Sequence, residues 1–148
     1  MSASYVQQNW NFVPAYQPSG VPWVKSYTSV AQATSGNATE IEFPAVTRWI
    51  AISIQDNVAN SALRIGFTQL GVESGSSQNN YFLLHSDGGA SGTGQSAQTI
   101  RFEVRTQRLF IGGHAGAIDN VSIMAGLTTV AIKDSKLVTG SNGFTGVG

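Results

Sequence analysis

The sequence predicts an all-β fold, and the spacing of its apolar residues carries that prediction. In the run TIRFEVR (99–105), Ile100, Phe102 and Val104 alternate with three charged residues, which is the period of a strand with one buried face. No stretch of ten or more residues has a helical period, so helix is limited to a turn or two. Alternating runs recur about every 8–12 residues, which is typical of a β-sandwich or a small barrel.

Nine alternating runs are predicted as strands, and segments rich in Gly, Ser, Asn and Asp separate them. In RWIAISI, the residues Ile50, Ile52 and Ile54 share a spacing of two, so we expect them on one buried face. The predicted strands are 24–34, 38–43, 47–55, 62–68, 80–85, 99–105, 107–111, 119–124 and 128–132. The separating segments are 35–37, 55–61, 73–80, 86–96 and 112–117.

The chain divides into three zones. The body, residues 24–132, holds the predicted strands, and residues 133–148 form a polar, Gly-rich tail. Residues 1–23 contain three prolines and five large aromatic residues that follow neither a helical nor a strand period. Proline fixes its own φ and extends the residue before it, so this zone is predicted as an extended arm. Its aromatic side chains would be poorly solvated alone, so we expect the arm to lie on the body or on a neighbouring molecule.

Composition restricts the classes of function. The 148 residues include no cysteine, which excludes disulfides, thiolate catalysis and sulfur-based zinc sites. The formal net charge is zero and 11% of residues are charged, so the surplus of Lys and Arg that nucleic-acid binding needs is missing. A run of about 18 apolar residues is also missing, so we expect no direct membrane span. A charge-poor surface resists self-association weakly, which favours contact with other protein.

One glycine motif has the spacing of a cofactor site. SGTGQSA (91–97) contains Gly92, Gly94 and Ala97 in a variant of the dinucleotide fingerprint. That fingerprint works between a strand and a helix, whereas a predicted strand follows it here. We therefore interpret 91–97 as a loop and expect no cofactor.

Catalytic and metal-binding patterns are equally weak. His85, Ser86 and Asp87 have the residue types of a catalytic triad, but consecutive side chains point in different directions and do not converge. A metal site would need His85 and His114 together with Asp87 or Asp119, and this spacing is an ordinary one. We predict that the chain is not an enzyme and binds no metal. Other serines that could pair with a histidine are Ser29 and Ser122.

Glu40 and Glu42 lie two apart in a predicted strand and therefore share a face. Paired carboxylates can hydrolyse glycosides when their separation is appropriate. Acids on one face more often form a solvated stripe or a contact with arginine. We therefore expect either a solvated stripe or a contact with Arg105 or Arg108 of another chain.

Trp49 directly precedes Ile50, so it is expected on the face opposite to the isoleucines. An exposed tryptophan on a sheet could stack on a sugar ring. It could also pack under the aromatic arm or at a subunit contact, since tryptophan is enriched in interface hot spots. We favour packing for Trp49.

Six short motifs occur in a characteristic order: TRWIAISIQDN, ALRIGFTQLGV, NYFLLHSDG, TIRFEVRTQRLFIGG, NVSIMAGLTTV and LVTGSNGFTGVG. The series resembles the small penton-type capsid proteins of large icosahedral DNA viruses. In that pattern an Arg-aromatic strand start precedes L-R-[VI]-G-F-x-x-x-G-V, Y-F-x-L, E-[VL]-R-x-x-x-L-[FY] and A-G-L-T. Residues 46–131 carry the resemblance, and residues 1–23 lie outside it.

This resemblance implies a single eight-stranded jelly-roll β-sandwich with an extended N-terminal arm. It implies a structural protein of the virion, assembled in the host cytoplasm, of which five copies form a capsid vertex. The implied partners are the chain itself, as a homopentamer, and the major and minor capsid proteins. Two alternatives remain open: a minor capsid or cement protein of the same fold, and a carbohydrate-binding β-sandwich such as a spike or fibre head. In the second alternative, Trp49 or Trp23 would be the sugar platform.

For the capsid role, the Gly-rich segments 86–96 and 112–117 are expected to converge at one end of the body, with the arm docking at the other. Large aromatic residues and two arginines are the expected assembly residues. They are Tyr5, Trp10, Phe12, Tyr16, Trp23, Trp49, Arg105 and Arg108.

Overall fold

The described chain is all-β in a computed structural model and forms two four-stranded antiparallel sheets, which confirms the predicted all-β class and is compatible with a β-sandwich. The structure describes residues 20–56, 58, 61–75, 79–86 and 97–128. The strands are β1 (Val21–Val30), β2 (Thr39–Glu42), β3 (Thr47–Ile54), β4 (Ala62–Gly66), β5 (Phe82–His85), β6 (Gln98–Phe102), β7 (Arg108–Gly113) and β8 (Ile118–Leu127). One short helix, α1 (Gln69–Val72), fits the expected limit of a turn or two within this part of the chain.

Along the chain, the first strand pairs with the last, the second with the next to last, and so on to the central two. β1 pairs with β8, β2 with β7, β3 with β6, and β4 with β5, all antiparallel. Two further pairings, β3 with β8 and β4 with β7, join these pairs into sheets. Sheet A therefore has the order β1-β8-β3-β6, and sheet B has the order β2-β7-β4-β5.

Successive strands end at alternate ends of the sandwich. At the end that we call the His114 end, Ser86 N–H donates to Ser61 O (2.8 Å) and His114 N–H donates to Ala62 O (2.8 Å). At the opposite end, which we call the Gly20 end, Thr128 N–H donates to the carbonyl of Val46 (2.7 Å). The strands β1, β3, β5 and β7 therefore finish at the His114 end, and β2, β4, β6 and β8 finish at the Gly20 end.

The main core lies between the sheets. The three isoleucines Ile50, Ile52 and Ile54 of β3 are fully buried there, as their spacing predicts. Burying each such side chain stabilises the fold by about 2 kcal/mol. The other buried members of this core are Val30, Ile41, Phe43, Leu63, Ile65, Leu109, Ile111, Ile118, Val121, Ile123, Ala125 and Leu127.

Asn120 changes the side of β8 that faces the core. Its φ of 52° is in the left-handed region, which asparagine tolerates better than most residues. As a result, Ile118 and Val121 are both buried, although two exposed residues separate them. The side chain and backbone of Asn120 hold Gln55: Gln55 N–H donates to Asn120 O (3.3 Å), and Asn120 Nδ2 donates to Gln55 O (3.2 Å).

β1 differs at both ends from the predicted strand 24–34. It begins at Val21, so Val21–Trp23 belong to the body and not to the predicted arm 1–23. β1 is an edge strand, where the missing N–H of Pro22 breaks no ladder. The strand ends at Val30 because the chain then crosses to sheet B, where Ala33 N–H donates to Gly113 O (2.9 Å).

On the C-terminal side of β8, two predicted segments lie largely or wholly outside the described residues. Of the ninth predicted strand, 128–132, the structure describes Thr128, and the tail 133–148 is outside it. Thr128 is tied to the connection after β2, because its hydroxyl donates to Val46 O (2.8 Å).

A second, smaller core covers the outer face of sheet B. Ala33 of the β1–β2 connection and Val72 of α1 pack there on Phe110 of β7. α1 begins at the cap residue Thr68, whose hydroxyl accepts from Gly71 N–H (3.2 Å). The chain's own connections therefore cover the part of this outer face around Phe110, whereas Glu40, Glu42 and Arg108 on the same face are exposed. In the described part of the chain, no helix has the length and apolar character needed to cross a bilayer.

We predict that Trp23→Ala lowers the free energy of unfolding by about 2–4 kcal/mol, because Trp23 packs edge-on against the buried ring of Phe43 at 4.9 Å. Urea denaturation measures this change. Thr28→Ala, at an exposed position of the same strand, should change it by less than about 0.5 kcal/mol. Equal effects of the two substitutions would contradict the packing of Trp23 on Phe43 and would favour the predicted arm 1–23, separate from the body.

Candidate functional site

The central part of the outward side of sheet A, which we call the open face, consists of three rows of cross-strand neighbours, and the exposed pair Ser29 and Asp119 lies beyond it toward the His114 end. It is the opposite side of the sheet from Ile50, Ile52 and Ile54. The first row is Pro22, Gly126 and Trp49, the second is Val24, Met124, Ala51 and Arg101, and the third is Ser26, Ser122, Ser53 and Thr99.

The open face is apolar or neutral almost throughout. Val24 and Met124 are register partners at its centre and are 65% and 48% exposed. The hydroxyls of the third row pair with one another: Thr99 donates to Ser53 (3.0 Å), and those of Ser26 and Ser122 are 3.3 Å apart. Arg101 is the one charged residue in these rows. Such a surface has few charges to desolvate when another surface covers it.

Trp49 lies on the open face as predicted, because it directly precedes the inward-facing Ile50, and a β-bulge precedes it at Arg48. The pairing of β3 with β8 shifts at this residue, so that Thr47 is buried while Trp49 lies opposite Gly126. A Cβ at Gly126 would overlap the indole, and Cζ of Arg101 lies 4.6 Å from the ring centre. Trp49 thus packs against its own chain, and a sugar that stacked on it would have to displace Arg101.

The other predicted assembly residues fall in different places. Trp23 is half-buried against the main core, and Arg105 is exposed in the connection after β6. Arg108 lies 3.2 Å from a carboxylate oxygen of Glu40 and 3.7 Å from one of Glu42. Because β2 and β7 are neighbours, these contacts occur within one chain, not with the arginine of another chain that we expected. The remaining four, Tyr5, Trp10, Phe12 and Tyr16, lie outside the described residues.

The residues considered for catalysis are dispersed. His85 is exposed at the end of β5, and the hydroxyl of the buried Ser86 donates to Asp56 O (3.4 Å). Ser122 is on the open face and Asp119 is exposed. Across the described ranges, no three His, Asp or Glu side chains are grouped so as to hold a metal ion. Asp87 and residues 91–96 of the glycine motif lie outside the described residues, and Ser29 is exposed in β1.

A buried arginine, Arg64, organises the covered outer face of sheet B. Its Nε donates to His114 Nδ1 (3.0 Å), and its Nη1 donates to Val72 O (2.9 Å). Its guanidinium also lies 4.5 Å from the centre of the Tyr81 ring. His114 is therefore a structural acceptor here. The sequence signal that we missed is the single charge within the strand ALRIG, at the position where alternation points away from the main core.

Glycine permits close backbone contact at the His114 end. A Cβ on Gly112 would overlap the Cβ of Ala33, and one on Gly113 would overlap the carbonyl oxygen of Gly116. The segment 112–117 and the attachment points of 86–96, Ser86 and Ala97, lie at this same end. The Gly20 end holds the attachment point of the N-terminal segment.

Comparisons of the chain with protein-family models, with curated proteins and with solved structures found no match.

We predict that Gly126→Ala disturbs Trp49, because the new methyl group would occupy space held by the indole ring. The expected results are a shift in tryptophan fluorescence and a loss of about 1–3 kcal/mol of folding free energy. Gly116→Ala is the matched control, since no atom lies within 4 Å of the added Cβ there. An unchanged spectrum for Gly126→Ala would contradict the packing of Trp49 on β8.

We predict that Arg64→Met costs about 2–4 kcal/mol of folding free energy, since it removes the donors to His114 and Val72 at a position that is 7% exposed. Arg108→Met removes exposed ion pairs and should cost about 0–1 kcal/mol. Chemical denaturation of both variants measures the difference. Equal losses would show that the buried arginine does not organise this face.

Proposed function

We propose that the sandwich is a jelly roll. The support is the strand pairing: a jelly roll is one long antiparallel hairpin rolled into two sheets, so strands equidistant from its turn are partners. β1 with β8, β2 with β7, β3 with β6, and β4 with β5 follow this rule. Double-sheet jelly rolls occur in viral capsid proteins, lectins and cupins.

We infer that the chain is a structural capsid protein that forms the pentameric vertex of an icosahedral virus shell. The observation that carries this proposal is the rolled pairing order of the strands, because it agrees with the fold that the ordered motifs at 46–131 imply. The proposed partners are four further copies of the chain and the major and minor capsid proteins. The proposed location is the virion, after assembly in the host cytoplasm, and the role is non-catalytic.

The two ends of the sandwich suit different roles in such a ring. A fivefold ring brings one patch of each copy against a different patch of the next, and the rotation closes. Small residues allow close approach at the axis, and Ala115, Gly116 and Ala117 are exposed at the His114 end. We therefore propose the His114 end for the axis. The Gly20 end, where the N-terminal segment attaches, would face neighbouring capsid proteins.

A carbohydrate-binding sandwich is the less supported alternative. Its sugar platform was to be Trp49 or Trp23. Trp23 is half-buried against Phe43, and Trp49 contacts Arg101 and the backbone of Gly126. A minor capsid or cement protein would share the fold and differ in its place in the shell.

The test of the proposed function is the mass of the full chain by light scattering over a concentration series, with symmetry analysis of electron micrographs. A mass five times that of the 15.6 kDa chain, in closed rings, is the expected result. Gly116→Glu would bring five carboxylates together at the proposed axis, so at least a tenfold weaker association is expected. Pro44→Glu, exposed at the Gly20 end, is the control and should leave the rings intact.

A stable dimer would contradict the fivefold ring. A single-chain mass at all concentrations, combined with binding to a glycan array that Trp49→Ala abolishes, would favour the carbohydrate-binding alternative. Rings that resist Gly116→Glu but not Pro44→Glu would keep the pentamer and reverse the proposed assignment of the ends.

A further inference from the structure

The outer faces of the two sheets differ in how far the described chain covers them. On sheet B, Ala33, Val72 and Tyr81 lie over Phe110 and make part of the outer face a second core. Within the described residues nothing comparable covers sheet A, and Val24 and Met124 are exposed at the centre of the open face. The described part of the chain therefore leaves two large apolar side chains at the centre of this face in contact with solvent.

The N-terminal segment attaches at the border of this face. Gly20 lies against the backbone of Gly126 and Leu127 so closely that a Cβ would overlap Cα of Gly126. Gly126 itself belongs to the first row of the open face, between Pro22 and Trp49. Residues 1–19 therefore join the described chain at the start of β1, beside Gly126 of β8.

The chemistry of residues 1–19 matches that of the open face. The segment MSASYVQQNWNFVPAYQPS contains no Asp, Glu, Lys or Arg side chain. It contains four large aromatic residues, whose burial would contribute much of the stabilisation of a docked segment. They are Tyr5, Trp10, Phe12 and Tyr16.

The segment is also long enough. Extended chain covers about 3.3 Å per residue, so 19 residues reach about 60 Å. A ten-residue strand such as β1 is about 33 Å long, and four strands spaced about 4.8 Å apart are about 15 Å across. Residues 1–19 can therefore follow the whole length of the open face.

Addition of a strand at the β1 edge is a poorer mode of docking. Pro22 lacks an N–H, and Lys25 lies on the inner side of the edge strand, where Nζ is 5.1 Å from the Tyr27 ring centre. Proline and inward-pointing lysine are features that discourage edge pairing. An occupant of sheet A is thus better accommodated on its face.

We propose that the open face of sheet A is the docking surface of residues 1–19 of the same chain. The short tether through Gly20 gives the segment an effective concentration in the millimolar range, which favours it over the same segment of another copy in dilute solution. The aromatic side chains cover Val24 and Met124 at the centre of the face, while Arg101 at its border stays on the Trp49 ring and 2.9 Å from a carboxylate oxygen of Glu103. This proposal does not rest on the capsid function.

The chain has no cysteine, so pairs of introduced cysteines report proximity without interference. Phe12→Cys is combined with Met124→Cys on the open face or, as control, with Phe82→Cys on sheet B. Phe82 is 54% exposed, similar to Met124, and its strand begins at the Gly20 end. Under mild oxidation of the full chain, we expect the disulfide within one chain to form at least tenfold faster with position 124. Trp10→Cys and Tyr16→Cys, tested in the same way, cover other registers of the segment.

A second measurement uses cleavage by chymotrypsin after the aromatic residues of 1–19. Met124→Glu should speed this cleavage at least tenfold while circular dichroism stays unchanged, and Phe82→Glu should leave the rate unchanged. Equal disulfide rates at 124 and 82 at every position tested would overturn the proposal. Disulfides that join different chains and increase with concentration would also overturn it, and would make a second copy the source of the occupant.

Discussion

The position of β8 in the middle of sheet A is the constraint on which the rest of the structure depends. β8 supplies the ladder partners of both β1 and β3, so it joins the strand that begins the described chain to the isoleucine strand at the centre of the core. Asn120 lets β8 present Ile118 as well as Val121 to the core. Gly126 leaves room for Trp49. The strand pairing of sheet A, its buried residues and the packing of Trp49 on its outer side therefore all depend on β8.

The two sheets differ in their outer faces: that of sheet B is partly covered by other segments of the described chain, and that of sheet A is exposed. Sheet B is covered around two side chains that its strands carry outwards: Phe110 is buried under Ala33 and Val72, and the buried Arg64 donates to Val72 O. Sheet A carries small hydroxyl residues and a few aliphatic ones outwards, which tolerate water but lose little when covered.

Short-range patterns predicted much of the fold, because alternation of apolar residues marks a buried face directly. Ile50, Ile52 and Ile54 are buried as their spacing indicated, and all eight described strands overlap predicted runs. Pairing order could not be predicted from spacing, since it depends on contacts between distant strands. The start of β1 was misplaced because Pro22 was read as a break, and only its position at a sheet edge makes it tolerable. The partners of Arg108 were assigned to another chain because the β2–β7 pairing was unknown.

The pairing of Val21 with Leu127 has a practical consequence for the molecule. Paired positions of antiparallel neighbours are about 5 Å apart, so the chain enters and leaves the sandwich at nearly one point. A linker of a few residues from Thr128 to Gly20 could therefore close the body into a circle, and a new opening in the connection between β7 and β8 would give a circular permutant. Fluorophores or affinity groups attached next to Gly20 and next to Thr128 would lie close to each other, at the end of the sandwich opposite to the His114 end.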